Sequence, residues 1–340
     1  MYSYRIITKK NKKMKNRTTK VSLKKLLVNT AYITVLAIVL IAVVKLFSYS
    51  KVEINDDPDY QKEINKNYAI YFPTVPDEFD FAGEKIPLEN IDVRESFDYE
   101  VLKIMYWHSE CIVQIKRSNK YFPIIEPILA ANNIPNDFKY LAITESGLKN
   151  VVSPAGAEGY WQFLKETGKS YGLEINSEVD ERYDIRKSTE AACKYLQDAY
   201  DRFGSWTLAA AAYNAGSGRI SKNMKTQQVD NYYDILLNTE TGRYVYRIAA
   251  YKLILSNPRN YGFSYRDEDL YRAMETTVIK MDTTINDFVE FAKIYNTNYK
   301  VLKRLNPWLR KKMLTNSKKK TYYIHVPTET GRLFFNEDEE

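Results

Sequence analysis

Residues Asn136 to Asn150 read NDFKYLAITESGLKN, and at helical spacing Phe138, Leu141, Ala142 and Glu145 fall at i, i+3, i+4 and i+7. An acid in that register continues an apolar stripe that faces a core, where a charge needs a reason. Ser146 and Gly147 follow at once, a hydroxyl and a helix-stopping residue, so the segment reads as a helix that begins near Pro135 and whose last turn carries the acid. Two placements stand for Glu145: directed into a cleft, or turned to solvent at the helix end. The flanking sequence bears on the choice.

Downstream, VVSPAGAEGYWQFLKETGKSYGL (Val151 to Leu173) makes a tight loop from Pro154, Gly156 and Gly159, followed by Tyr160, Trp161, Gln162 and Phe163. Flat rings beside an amide suit a saccharide groove, because aromatic faces cover the apolar face of a pyranose while the amide pairs with its polar groups. A loop packed on its own rings is the alternative. A helix is expected from Ser188, as its cap, to Gly204, and a second one after Ser205 in SWTLAAAAYNAGSGRI. There Ala209 to Ala212 allow close helix approach, and Tyr213 and Asn214 sit at the end where a cleft could open. Thr239 to Leu255 gives a further helix, with Tyr244, Ile248, Tyr251 and Leu255 on one face and Glu240 in its first turn.

Upstream, Phe97 to Gln114 reads as a helix opening the domain, and Tyr121 to Ala131 as another, interrupted at Pro127. Of the 340 residues, the first 25 hold ten lysines and arginines and no acid. The net charge of +7 is therefore carried by that tail, the remainder being about −3, and nucleic-acid binding by the folded part is not indicated. Leu26 to Val44, LLVNTAYITVLAIVLIAVV, is a mainly apolar run of 19 residues, enough helix for a hydrocarbon core of about 30 Å. Basic residues crowd its N-terminal side, which places the N-terminus in the cytoplasm and everything after Ser50 outside. A cleaved signal peptide is the competing reading; the length of the run and the lack of a small-residue cleavage site in KLFSYSK favour an uncleaved anchor. The organisation expected is a basic tail (1–25), a transmembrane anchor (26–44), a linker (45–93), a helical domain (94–265), a small α+β module (270–327) and an acidic tail (328–340).

Cys111 and Cys193 could form one disulfide or stay as buried thiols. With only His108 and His325, no metal-ligand cluster and no Ser/His/Asp or Cys/His nucleophilic set can be assembled.

Four ordered stretches, Glu145-Ser146 in YLAITESG, Gly159 to Phe163, Ala212-Tyr213-Asn214-Ala215-Gly216, and Glu240-Thr241 with Tyr244-Val245, together resemble the soluble-type lytic transglycosylases, whose catalytic domain is shared with goose-type lysozymes. They look most like the membrane-bound transglycosylase D subgroup, as does DIRKSTEAA (Asp184 to Ala192). Two positions depart from the family: Tyr160 replaces an aliphatic residue and Glu158 a small one. The resemblance implies a mainly α, lysozyme-like catalytic domain that cuts peptidoglycan glycan strands from the outer side of a cytoplasmic membrane, without cofactor or metal. It implies Glu145 as the catalytic acid, supported by Ser146, with Gln162, Tyr213 and Asn214 lining the saccharide groove and Glu240 and Tyr244 closing it.

A carboxyl among apolar groups keeps its proton near neutral pH, as a glycosidic leaving oxygen requires. The resemblance implies that the same Glu145 then takes the proton of the sugar's own 6-hydroxyl, closing an anhydro ring without water. Glu158, Glu166 and Glu240 remain candidate second carboxylates of a hydrolase, and a non-catalytic peptidoglycan-binding protein is the alternative from another class. In the C-terminal segment, strand Thr276 to Met281, helices Ile285 to Tyr295 and Tyr299 to Leu305, and strand Tyr322 to Val326 give a β-α-α-β order. This is similar to a LysM module, which binds N-acetylglucosamine-containing glycans, although Met281 and Thr284 stand in place of its usual glycine and leucine. A domain that only packs on the catalytic one is the plainer reading.

Overall fold

The computed structural model describes residues 25–41 and 70–333. The chain divides into two units, residues 1–71 and 72–340. In the first unit, residues 25–41 form a helix whose apolar side chains, among them Leu26, Leu36 and Leu40, are exposed. The Thr30 and Thr34 hydroxyls donate back to the Leu26 and Thr30 carbonyls, which satisfies both groups within the helix. Among the described residues no helix is long and apolar enough to cross a membrane. Residues 42–44 of the expected span lie outside the described residues, as do residues 1–24, the segment 45–69 and the tail 334–340.

The second unit opens with a hairpin, β1 (Phe79–Phe81) and β2 (Glu84–Ile86), paired antiparallel with Phe79 opposite Ile86. Ala82 and Gly83 both hold positive φ, the pattern of a two-residue hairpin turn whose twist matches the strands. Phe81, Ile86 and Leu88 are fully buried, so the end of the stretch expected as linker is part of the core. Two helices follow, α1 (Ile91–Tyr106) and α2 (His108–Ala131), broken at Trp107. The interruption expected at Pro127 is absent: α2 runs unbroken through Pro123 and Pro127. Four residues apart, both prolines lie on the exposed face, so the carbonyls each leaves without an amide partner can turn to water.

A single 3-10 turn, Asn136–Phe138, leads into α3 (Lys139–Ser146), which ends at Gly147 in the left-handed conformation that favours glycine. After α4 (Lys165–Ser170) comes α5 (Ile185–Phe203), whose cap is Asp184 and not Ser188. Asp184 accepts from the Arg186 and Lys187 amides, while the buried Ser188 hydroxyl donates to the Asp184 carbonyl at 2.6 Å. The α6 helix (Trp206–Ala215) carries Ala209 to Ala212 without any exposure, which lets α5 and the later helix Thr239–Ser256 pack closely on it. Its N-terminus is closed by the hairpin: Glu84 accepts from the Trp206 and Thr207 amides at 2.5 and 2.9 Å, an anion on the positive end of a helix. The remaining helices are α7 (Ser217–Gln227) and the central α8 (Thr239–Ser256), which packs on α1, α3 and α6.

Beyond these, β3 (Thr276–Met281), α9 (Phe288–Ile294), α10 (Tyr299–Leu305) and β4 (Tyr322–Pro327) give the expected order. β3 and β4 pair antiparallel, Thr276 opposite Pro327. The first of these helices starts later than expected because Ile285 is held as a bridge to Leu314. The core of this module, built on Phe288, Leu302, Ile324 and Val326, also takes in Val179 and Tyr183 from the segment ahead of α5. The same segment supplies backbone bonds, Asp180 N–H to the Trp308 carbonyl and Arg310 N–H to the Glu178 carbonyl. Cys111 and Cys193 are free and buried, and burial pushes both thiols up to about 12.

Candidate functional site

A cleft of about 650 Å³ runs between the ends of α3, α6 and α8 and the loop 153–167. Glu145, Gln162, Tyr213, Asn214, Glu240 and Tyr244 all line it. The stripe explains the acid's position: Phe138, Leu141 and Ala142 are fully buried, and the last turn of α3 carries the half-buried carboxyl to the cleft wall. The buried Tyr244 hydroxyl, on α8, donates a short hydrogen bond to Glu145 Oε1.

Burial disfavours the Glu145 anion and pushes its carboxyl up to about 7, even though the Tyr244 hydrogen bond and the Arg247 charge pull it down. The Glu240 charge adds to the upward push. Burial and the Glu145 charge in turn hold the Tyr244 and Tyr213 hydroxyls well above their ordinary range, so both stay protonated donors. Near neutral pH the site therefore presents a carboxyl that holds its proton far better than one in water, beside phenols that do not ionise.

The opposite wall is fixed by a chain of polar contacts. The Thr241 hydroxyl donates to Asn214 Oδ1 at 2.8 Å, and Asn214 Nδ2 donates to Glu240 Oε1 at 3.3 Å. Tyr213 donates to the Trp161 carbonyl at 2.8 Å, tying the end of α6 to the loop. Gln162 holds a φ of 52° and spends both amide hydrogens on that loop, donating to the Val151 and Gly159 carbonyls. Its carbonyl oxygen is what it has left to offer.

Ser146 is not among the residues lining the cleft; buried, it donates to the Tyr160 carbonyl at 2.7 Å and so joins α3 to the loop. Of the rings expected to form a saccharide platform, only Phe163 borders the cleft. Tyr160 and Trp161 are in the core, Trp161 donating to the Thr189 hydroxyl at 2.8 Å and Tyr160 to the Tyr121 hydroxyl at 3.4 Å. Glu158 pairs with the buried Arg182 at 3.0 Å, and Glu166 lies on the surface beside Lys169. Glu240 is thus the one candidate second carboxylate that lines the cleft. Sequence reading missed Arg247, although 240, 244 and 247 are spaced to share one face of a helix.

Arg182 also pairs with Asp180 through two hydrogen bonds and donates to the Phe163 carbonyl, so one buried guanidinium secures the loop from below. Gly159 makes this approach feasible: at φ +84° an added Cβ would lie 1.9 Å from the Arg182 carbonyl oxygen. Backbone cannot yield as a flexible side chain can, so Gly159→Ala is expected to cost about 2–4 kcal/mol in denaturant unfolding. A loss below about 0.5 kcal/mol, the range of neutral surface changes, would contradict this packing.

Residues 122–236 match the family described as Transglycosylase SLT domain, and residues 277–330 that described as Soluble lytic transglycosylase C-terminal LysM-like domain. The membrane-bound lytic murein transglycosylase D of Escherichia coli strain K12 is 32% identical over 203 residues, covering 57% of this chain and 44% of that protein. The chain thus spans less than half the length of this curated relative. Among solved structures, the 70 kDa soluble lytic transglycosylase from Escherichia coli is similar over 53% of this chain and 32% of its own, with a TM-score of 0.38 and 20% identity. The chain accordingly carries an SLT transglycosylase domain followed by a LysM-like domain, and is similar in sequence to membrane-bound lytic murein transglycosylase D.

Proposed function

We propose that this protein is a peptidoglycan lytic transglycosylase that cleaves the bond between N-acetylmuramic acid and N-acetylglucosamine and leaves 1,6-anhydromuramic ends. The observation that carries the reading is the Glu145 carboxyl, raised to about 7 and bonded to Tyr244 in a cleft that can seat a glycan. Protonated Glu145 gives its proton to the glycosidic oxygen as the bond to the anomeric carbon breaks. The resulting carboxylate then takes the proton of the 6-hydroxyl, whose oxygen closes onto the anomeric carbon. No water is consumed, and Glu145 ends in the form in which it began.

Tyr244 orients the carboxyl in both steps, while Gln162, Tyr213, Asn214 and Glu240 hold the sugar against it. Ser146 serves by fixing the loop to α3. Residues 26–44 anchor the protein in the cytoplasmic membrane, with the N-terminus inside and the catalytic domain on the periplasmic or extracytoplasmic face. The apolar run and its basic N-terminal flank support that placement.

Glu240 favours a second reading, because a carboxylate on the far wall could activate water in a lysozyme-like hydrolase. Mass spectrometry of digested sacculi separates the two. Products of anhydro mass are expected; products heavier by one water would assign hydrolysis, and no released glycan from active-site-intact protein would leave a binding protein.

A further inference from the structure

Three charged side chains line the cleft, Glu145, Glu240 and Arg247, so Arg247 is the sole cation among the described lining residues. The proposed chemistry gives it no task. Its charge favours the Glu145 anion and so works against an acid that must stay protonated. Its position is nonetheless fixed from behind. Glu100, on α1, is fully buried and uses both carboxylate oxygens on two arginines of α8: one accepts from Arg243 Nε at 2.5 Å, the other from Arg247 Nε at 3.2 Å.

One anion between two guanidiniums leaves one positive charge over. Arg243 has a second partner, its guanidinium lying 4.0 Å above the Tyr99 ring. Of the two, Arg247 is the one that lines the cleft, where its side chain remains 28% exposed. Its Nε is spent on Glu100, while its two terminal amino groups make no hydrogen bond among the described residues. A planar guanidinium with its inner edge clamped and its outer edge open is shaped to receive a carboxylate side-on.

From this arrangement we infer that Arg247 is a specificity residue of the cleft, which pairs with a carboxylate carried by the glycan beside the scissile bond. The inference rests on the glycan-cleaving reading and deepens it. Two sources offer that chemistry: the lactyl carboxylate of a muramic residue stripped of its peptide, and a carboxylate of an attached peptide.

The experiment measures binding, by calorimetry, to full-length protein carrying Glu145→Gln so that nothing turns over. The probes are muramic-acid tetrasaccharides with free lactyl carboxylates, the same with lactyl carboxamides, and peptide-bearing forms with the peptide carboxylates free or amidated. A carboxylate form is expected to bind about tenfold or more tightly than its amide, as a charge-assisted pair would give. Adding Arg247→Gln is expected to close that gap, and measurable binding of the amide probes by the same variant shows that the fold is intact. Should that variant bind nothing, Arg247→Lys is read by the same ratio, and a point charge without the fork is expected to keep only part of the gap. A gap confined to the peptide-free or to the peptide-bearing pair identifies the source and supports the inference. Equal affinity for carboxylate and amide with Arg247 present, or a gap that survives Arg247→Gln, overturns the inference and leaves the glycan reading standing. No binding of any probe overturns both.

Discussion

Glu145→Gln is expected to lower glycan release by about 10³–10⁴-fold, near the top of what one positioned acid–base group supplies, because the same carboxyl acts in both halves of the proposed reaction. The loss should appear in kcat, since an uncharged isostere keeps the cleft and can still accept from Tyr244. The same substitution should make the protein more stable at neutral pH. The folded carboxyl ionises near 7 and an unfolded one near 4.5, so between those values the native state binds more protons and stability falls as pH rises. Below about pH 4 both states are protonated and the cost vanishes; above about pH 7 it is fully present. A tenfold difference in proton affinity between the folded and unfolded carboxyl is worth about 1.4 kcal/mol, which sets a ceiling near 3 kcal/mol and, for a half-buried group, an expected gain of about 1–2 kcal/mol in the glutamine variant. Urea unfolding at pH 4 and pH 8 tests it. Wild type and variant with equal stability at pH 8 would mean a carboxyl that ionises as in water, and the proposed acid would lose its basis.

Trp161→Ala is expected to be the costliest single change to the fold, about 3–5 kcal/mol in chemical denaturation, the range for truncating a fully buried large ring. The indole is without exposure, donates to the Thr189 hydroxyl at 2.8 Å and meets the Tyr213 ring edge-on at 6.4 Å between centroids. The loss would reach the cleft. Tyr213 bonds to the carbonyl of residue 161, and Gln162 is the next residue, held in a left-handed conformation. A cavity beneath both should raise KM as well as lower stability. Trp161→Phe, which keeps a ring but no N–H, should cost less; a loss under about 1 kcal/mol for the alanine variant would show the ring to be dispensable packing.

How far the sequence could be read depended on whether a local pattern or a distant contact decided the outcome. The apolar stripe through Phe138, Leu141 and Ala142 is local, and with Gly147 as the stop it placed Glu145 on a specific face of α3. The caps at Ser205 and Gly204 and the boundaries of β3 and α10 were legible for the same reason. The saccharide platform was not: Tyr160 and Trp161 carry the composition of a ligand groove, yet one pairs with Tyr121 and the other with Thr189, partners no spacing rule reveals. The hairpin of β1 and β2 was hidden because three-residue strands give too few alternations, and its burial depends on α1 and on Phe138. Ser188 looked like a cap by type, but Asp184 four residues earlier reaches two free amides and ends the competition. Arg247 was concealed because the face drawn through Tyr244, Ile248 and Tyr251 passes it by, and Glu100, which fixes it, lies 147 positions away.

Val179 and Tyr183 complete the interior of the C-terminal module although they lie within the stretch 122–236 that matches the transglycosylase family. A boundary drawn by sequence likeness therefore passes through shared hydrophobic packing. Grafting either half onto an unrelated protein would strip two apolar side chains of their cover, and substitutions at Val179 or Tyr183 must satisfy neighbours on both sides at once. The two halves are thus joined through a common interior, and neither is complete where the other is cut away.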